Sequence, residues 1–296
     1  MPGRSILDQI TDISELVNDY LKVCIYGENR VGKTTLACQF PKPLLLIAIE
    51  PNQTGGAISV RKVPGVAYLR LGSTKSIGEL CQELTNGATC QLSGKEYHGQ
   101  PYQTIVIDSA TSLQDLILQE ILGLNTPLDL NSFGRVTRDQ YFERSDKVRE
   151  YLRKFLNLPM HTVITAKQKD HNKQEKDKPR MLGNVELQSF FGASLGTETA
   201  GWLHDTCDYI CRLYMDEEVL ISEKPVVLNG KPKMVDGKPK MMRVETRTGR
   251  LVRRLQCIYL PNFAGGFRSD SPEAVPEYIQ EPTYEKIAKV VRGEKL

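Results

Sequence analysis

The stretch IYGENRVGKTTLACQF, residues 25–40, decides how the chain is read. Inside it, GENRVGKT fits the pattern G-x-x-x-x-G-K-[ST], with Gly27, Gly32, Lys33 and Thr34 in the fixed places. The apolar run KVCIYG before it predicts a short buried strand. The segment Lys33–Phe40 after it predicts a helix, stopped by Pro41. A strand, a glycine-bounded loop and a helix in this order cradle phosphate. The loop amides and the helix N-terminus face the anion, lysine reaches the β and γ phosphates, and the hydroxyl after it serves Mg²⁺. ATP and Mg²⁺ are therefore the expected cofactors. Gly27, Glu28, Asn29, Arg30, Val31, Gly32, Lys33, Thr34 and Thr35 form the expected nucleotide contact.

Further apolar runs supply the rest of a sheet. PLLLIAIE (43–50) has no polar alternation, as in a parallel strand covered on both faces. VAYLRL, TIVIDSA and HTVITA are further strands, and segments 76–86, 112–122 and 138–158 have helical spacing. Strands alternating with helices predict an α/β fold with a mostly parallel sheet flanked on both faces. TIVIDSA ends on Asp108, the second acid a metal site needs beside Thr34. Glu50 closes its apolar strand as the candidate water-activating group. Gln168, just past HTVITAK, is the candidate sensor of the γ-phosphate.

Composition is that of a globular protein: 296 residues, 40% hydrophobic, 25% charged, net charge +3. No apolar run approaches the roughly 18 residues that cross a bilayer, and the start lacks a signal-peptide core, so the expectation is a cytoplasmic protein with no membrane partner. The seven scattered cysteines read as free thiols. His204, Cys207 and Cys211 lack a second ligand pair, and CDYIC alternates like a strand, which puts Cys207, Tyr209 and Cys211 on one packed face.

Four phrases in order, YGENRVGKTT, LLLIAIE, TIVIDSA and HTVITAKQ, resemble the RecA-like ATPase core. More narrowly, GKTTLACQFPKPLLLIAIE and LPMHTVITAKQ resemble the phage RecA-like ATP-binding proteins that act as single-strand annealing recombinases. The likeness covers roughly residues 20 to 215. It implies a RecA-like core over 21–215; ahead of it the spacing of Ile6, Ile10, Ile13, Leu16 and Val17 predicts a helical segment within 1–20, an expected oligomer contact, and after it the alternation predicts a basic β-ribbon and tail (216–296) packed on the core. Carried over by position, Lys33 and Thr34 serve phosphate and Mg²⁺, and Asp108 is the second metal acid. Glu50 is the catalytic glutamate. Gln168, with Lys167 beside it, heads the DNA-binding loop. Arg30 stands where related loops often hold glycine. The resemblance also implies a ring or filament in which a basic finger reaches a neighbour's γ-phosphate, with Arg253 or Arg254 as candidates. For a phage protein the compartment is the host's cytoplasm.

Charge is concentrated rather than spread. Six Lys or Arg lie between Lys167 and Arg180, in a segment whose polarity predicts a surface loop over 168–184. Nine lie between Lys231 and Arg254, over the repeat NGKPKMVDGKPKM and a ribbon predicted to turn at Thr248-Gly249. Lys169, Lys173, Lys176, Lys178, Arg180, Lys231, Lys233, Lys238 and Lys240 are the candidate contacts to a nucleic-acid backbone. Phe190, Phe191 and Trp202 follow the first segment as base-stacking candidates or as core. The expectation is an ATP-dependent protein on single-stranded DNA, with a single-strand-binding protein or nuclease as possible company. The alternative is a nucleotide-switched module that loads or regulates a helicase, nuclease or packaging protein.

Overall fold

The computed structural model describes residues 20–49, 56–92, 96–124, 136–172, 181–182, 185–186, 190–228, 231–235, 238–239 and 241–296. Outside them lie the expected N-terminal helix apart from Tyr20, Glu50, and Lys173, Lys176, Lys178, Arg180 and Lys240.

The elements run β1 (Lys22–Gly27), α1 (Lys33–Ala37), β2 (Leu44–Ala48), α2 (Ala57–Val60), β3 (Val66–Arg70), α3 (Ile77–Thr85), β4 (Thr104–Asp108), α4 (Ala110–Leu122), α5 (Arg138–Leu156) and β5 (His161–Asp170). Then follow β6 (Met181–Leu182), β7 (Val185–Glu186), β8 (Phe191–Ala193), α6 (Thr197–Thr206) and β9 (Tyr209–Pro225). Two small hairpins come next, β10 (Val227–Leu228) with β11 (Lys231–Pro232) and β12 (Met234–Val235) with β13 (Lys238–Pro239), on either side of Asn229-Gly230 and Asp236-Gly237. β14 (Met241–Gln256), β15 (Gly266–Phe267), β16 (Tyr278–Gln280) and α7 (Tyr284–Val291) complete the chain.

The main sheet has the order β16-β14-β9-β1-β5-β4-β2-β3. From β9 to β3 all pairings are parallel, and β14, β15 and β16 add antiparallel edges. β2 is buried at every position, which is why its sequence lacks alternation. One face packs on α3, α4, α5 and α6 through Ile105, Leu113, Leu152, Phe155 and Leu203. The other packs on α1 and α7 through Leu36, Phe40, Val163, Leu255 and Ile287. This is the expected α/β class. Among the described residues no helix is long and apolar enough to cross a membrane.

Three expectations are corrected. The segment after Lys167 is not loop from its first residue: β5 continues through Gln168, Lys169 and Asp170, paired with Ala193, Gly192 and Phe191 of β8. The alternating stretch 241–256 does not turn at Thr248-Gly249. It is one long strand on β9, and Thr248, Gly249 and Arg250 form a bulge there, with Gly249 at φ +75°. Cys207 does not share a face with Tyr209 and Cys211; it ends α6 and packs with the α5–α6 side, whereas they pack with the α1 side. Phe191 stacks on Phe263, and Phe190 and Trp202 pack against the core, so these rings are structural.

His161 opens β5 inside a cage of Tyr20, Phe40 and Tyr284, and its Nδ1 accepts the Leu21 N–H at 3.0 Å. Burial, helped by the charge of Lys22, lowers its pKa from 6.5 to about 4. The unfolded chain takes up this proton below pH 6.5 and the folded chain only near pH 4. Stability is therefore present above 6.5 and lost as pH falls toward 4, by roughly 2 kcal/mol after allowing for solvent screening. Urea titrations at pH 7.5 and 5 check this. His161→Gln, which keeps an acceptor but does not titrate, flattens the difference.

Candidate phosphate-binding site

β1 carries the chain to the loop at the C-terminal edge of the sheet. Here the glycines are needed for definite reasons. A methyl group added at Gly27 would stand 2.1 Å from the Leu213 carbonyl oxygen of β9. Gly32 has φ +95°, and Arg30 has φ +66°, a left-handed conformation that glycine adopts freely and arginine adopts at a cost. Arg30 thus takes a conformation better suited to glycine. None of the described residues accepts a hydrogen bond from the backbone N–H groups of Asn29 to Thr35, and Leu36 N–H is the first to turn back, onto Gly32. A run of free N–H groups is the donor set an anionic phosphate chain requires.

Lys33 Nζ lies across the loop and donates to the carbonyls of Gly27 (3.0 Å) and Glu28 (2.6 Å). Burial pushes this ammonium below the ordinary lysine range, opposed by the charge of Asp108 and reinforced by that of Lys167. A desolvated cation over free amides attracts a phosphate more strongly than one in water.

Thr34 Oγ1 donates to Asp108 Oδ2 at 2.8 Å. Neighbouring corners of an oxygen octahedron around Mg²⁺ are about 2.9 Å apart, so this hydroxyl–carboxylate pair fits the ion. Asp108 Oδ1 is held by Thr165 Oγ1 at 2.6 Å, from β5 between β1 and β4. The Asp108–Ser109 peptide is cis, and Ser109 caps α4 by accepting from Ser112 N–H.

Thr165 was not among the expected site residues. Its signal was a polar residue at the buried centre of HTVITA, fully enclosed in the fold. Replacing it with valine leaves Asp108 Oδ1 without its donor. The expected results are a stability loss of about 1–3 kcal/mol and a Mg²⁺ requirement for turnover raised about tenfold or more. Thermal melts and a Mg²⁺ titration of ATP hydrolysis measure both. Gly56 was also missed: a methyl group there would stand 2.4 Å from Thr34 Oγ1 and 2.9 Å from Asp108 Oδ2, so only glycine lets the chain pass over the Thr34–Asp108 pair.

The remaining expectations scatter. Gln168 and Lys167 are on opposite faces of β5. Gln168 Oε1 accepts from Arg212 Nε at 2.8 Å, and Arg212 lies 3.7 Å over the Phe263 ring. Lys169 and Lys233 are exposed; Lys231 and Lys238 begin short hairpin strands. Arg254 is 7% exposed and tied to Asp216 and the Glu217 carbonyl under Tyr278, so it does not reach out to a neighbour. Arg253 covers Gly32 of its own chain.

A family profile described as an AAA domain matches residues 19–248 and so takes in the loop, Thr34, Asp108, β9 and the first half of β14. The chain belongs to the AAA domain family. Its loop is accordingly that of a P-loop ATPase. Among solved structures, the AAA domain chain is similar to the flagellar accessory protein FlaH from Methanocaldococcus jannaschii, with 9% identity over 80% of this chain and 77% of that chain and a TM-score of 0.31. It is similar also to the RadB recombinase, with 13% identity over 80% and 86% and a TM-score of 0.33. No curated protein matches it.

Proposed function

We propose that this AAA-domain protein is a RecA-like, Mg²⁺-dependent ATPase that binds single-stranded DNA as an oligomer and promotes annealing or strand exchange in phage recombination. The observation that carries the reading is the Gln168–Arg212 hydrogen bond. Gln168 lies in β5, the strand that holds Asp108 through Thr165, just ahead of the basic segment beginning with Lys169. Arg212 belongs to β9, the strand that continues into the basic ribbon. One residue thus joins the nucleotide site to both segments proposed for DNA. Mg²⁺, held by Thr34 and Asp108, would neutralise charge on the phosphates; Lys33 and the loop amides would orient the chain. A nucleotide that draws Gln168 from Arg212 would change the state of both arms.

Single-strand binding measured with and without ATP across a salt series tests this. Each neutralised phosphate contributes about −0.7 to the slope of log affinity against log salt, so several contacts give a steep line. A flat line, or no binding in either nucleotide state, removes the proposal. The alternative, a nucleotide-switched module for a DNA-processing protein, is favoured by one feature. The ribbon exposes Met215, Leu220, Met242 and Leu251, apolar side chains suited to a protein surface. Nuclease-sensitive polymer in the purified protein supports the first reading, a stoichiometric protein partner the second.

A further inference from the structure

We propose that Arg253 contacts the bound nucleotide's phosphates in the same chain whose loop it covers, with Glu281 as the residue that positions it. This rests on the reading of the loop as a nucleotide site. β14 pairs with β9 so that Leu255 faces Leu213 and Arg253 faces Met215. Leu255 and Leu213 are buried on the α1 side, and Arg253, two residues on, emerges on that same side over the loop. A methyl group added at Gly32 would stand 3.4 Å from Arg253 Nη1 and 3.7 Å from its Cδ. Glycine at this place leaves nothing between the guanidinium and the loop's free amides.

The hydrogen bonds of Arg253 divide its guanidinium in two. Nε and Nη2 both donate to Glu281 Oε2, at 3.2 and 3.1 Å. Nη1, the nitrogen nearest Gly32, has no partner among the described residues. Glu281 is itself fixed from three sides. Its Oε1 accepts the Arg253 N–H, its N–H donates to the Arg253 carbonyl, and its own carbonyl accepts from Lys286 Nζ at 2.9 Å. It holds φ +43°, a left-handed conformation that a glutamate adopts at a cost. A carboxylate on one edge of a guanidinium and a phosphate on the other is the arrangement planar arginine serves best, and lysine cannot reproduce it. Adjacent Arg254 has its bonds inside the fold, so the two arginines are not interchangeable.

The rival is that Arg253–Glu281 only pins β14 to the turn before α7. Arg253→Ala, Arg253→Lys and Glu281→Gln separate the two, each melted with and without Mg-ATP and assayed for turnover. A phosphate contact predicts that Arg253→Ala keeps its melting temperature without nucleotide, loses most of the ATP-induced rise, and turns over about 100-fold more slowly. Arg253→Lys behaves similarly, because the charge alone does not restore the fork. Glu281→Gln gives a smaller loss in the same direction. Mixing Arg253→Ala with Lys33→Ala protein stays inactive, since each intact site needs both residues in one chain. The proposal is overturned if Arg253→Ala responds to ATP like the parent, or if the mixture regains turnover, which would make Arg253 a neighbour's residue. Should Arg253→Ala not fold, Arg253→Lys and Glu281→Gln decide the matter by the same melts. A parent protein that shows no ATP-induced rise refutes the nucleotide reading itself, a result distinct from an unresponsive variant.

Discussion

Lys33→Ala is expected to leave the fold standing and to cut ATP turnover by about 10²- to 10³-fold. The side chain touches the Gly27 and Glu28 carbonyls and reaches none of the hydrophobic core, so little packing is lost. Its loss acts through two routes. The loop forfeits the tie that holds its two ends together, and the phosphate chain forfeits the cation that replaces its water. Burial has already stripped much of the hydration from this ammonium, so exchanging two carbonyl oxygens for phosphate oxygens costs little reorganisation. Lys33→Arg is expected to fail almost as completely, because a planar fork does not fit where a compact tripod of donors sits. Circular dichroism and melting temperature verify the fold; ATP hydrolysis and nucleotide binding measure the effect. Parent-level turnover in Lys33→Ala would show that chemistry happens elsewhere.

How far the sequence carried the reading depended on the range of the interactions. The phosphate loop was legible because its determinants are local: strand, glycines and lysine lie within a dozen residues, and β1 and α1 begin where the motif places them. β2 was legible through its unbroken apolar run. The far end of β5 was not, because Gln168, Lys169 and Asp170 have loop-like polarity and become strand only by pairing with β8, more than twenty residues later. Thr248-Gly249 has the chemistry of a turn, and the chain uses Gly249's positive φ for a bulge instead, since β14's partner had already been laid down as β9. The site followed the same rule. Thr34 and Asp108, named from motif and strand end, meet in the fold. Thr165 and Gly56 reach this pair by approaches across the fold that no short pattern encodes.

The division of labour between the two acids gives the second large effect. Thr165 and Thr34 each donate one hydrogen bond to Asp108, at Oδ1 and Oδ2, which fixes the carboxylate in place and leaves each oxygen a further lone pair for an ion. The sequence resemblance assigns the attacking water to Glu50, which comes two residues after β2 in the sequence and lies outside the described residues. Glu50→Gln is accordingly expected to bind Mg-ATP with near-parent affinity and to hydrolyse it about 10²- to 10⁴-fold more slowly, the usual weight of a positioned base. Asp108→Asn reverses the pattern, losing the Mg²⁺ dependence of binding first and turnover as a consequence. Equilibrium binding measured with and without Mg²⁺, set beside single-turnover hydrolysis, separates the two. Glu50→Gln at the parent rate would send the water to another residue. Equal losses of binding in both variants would make Glu50 part of the metal site instead.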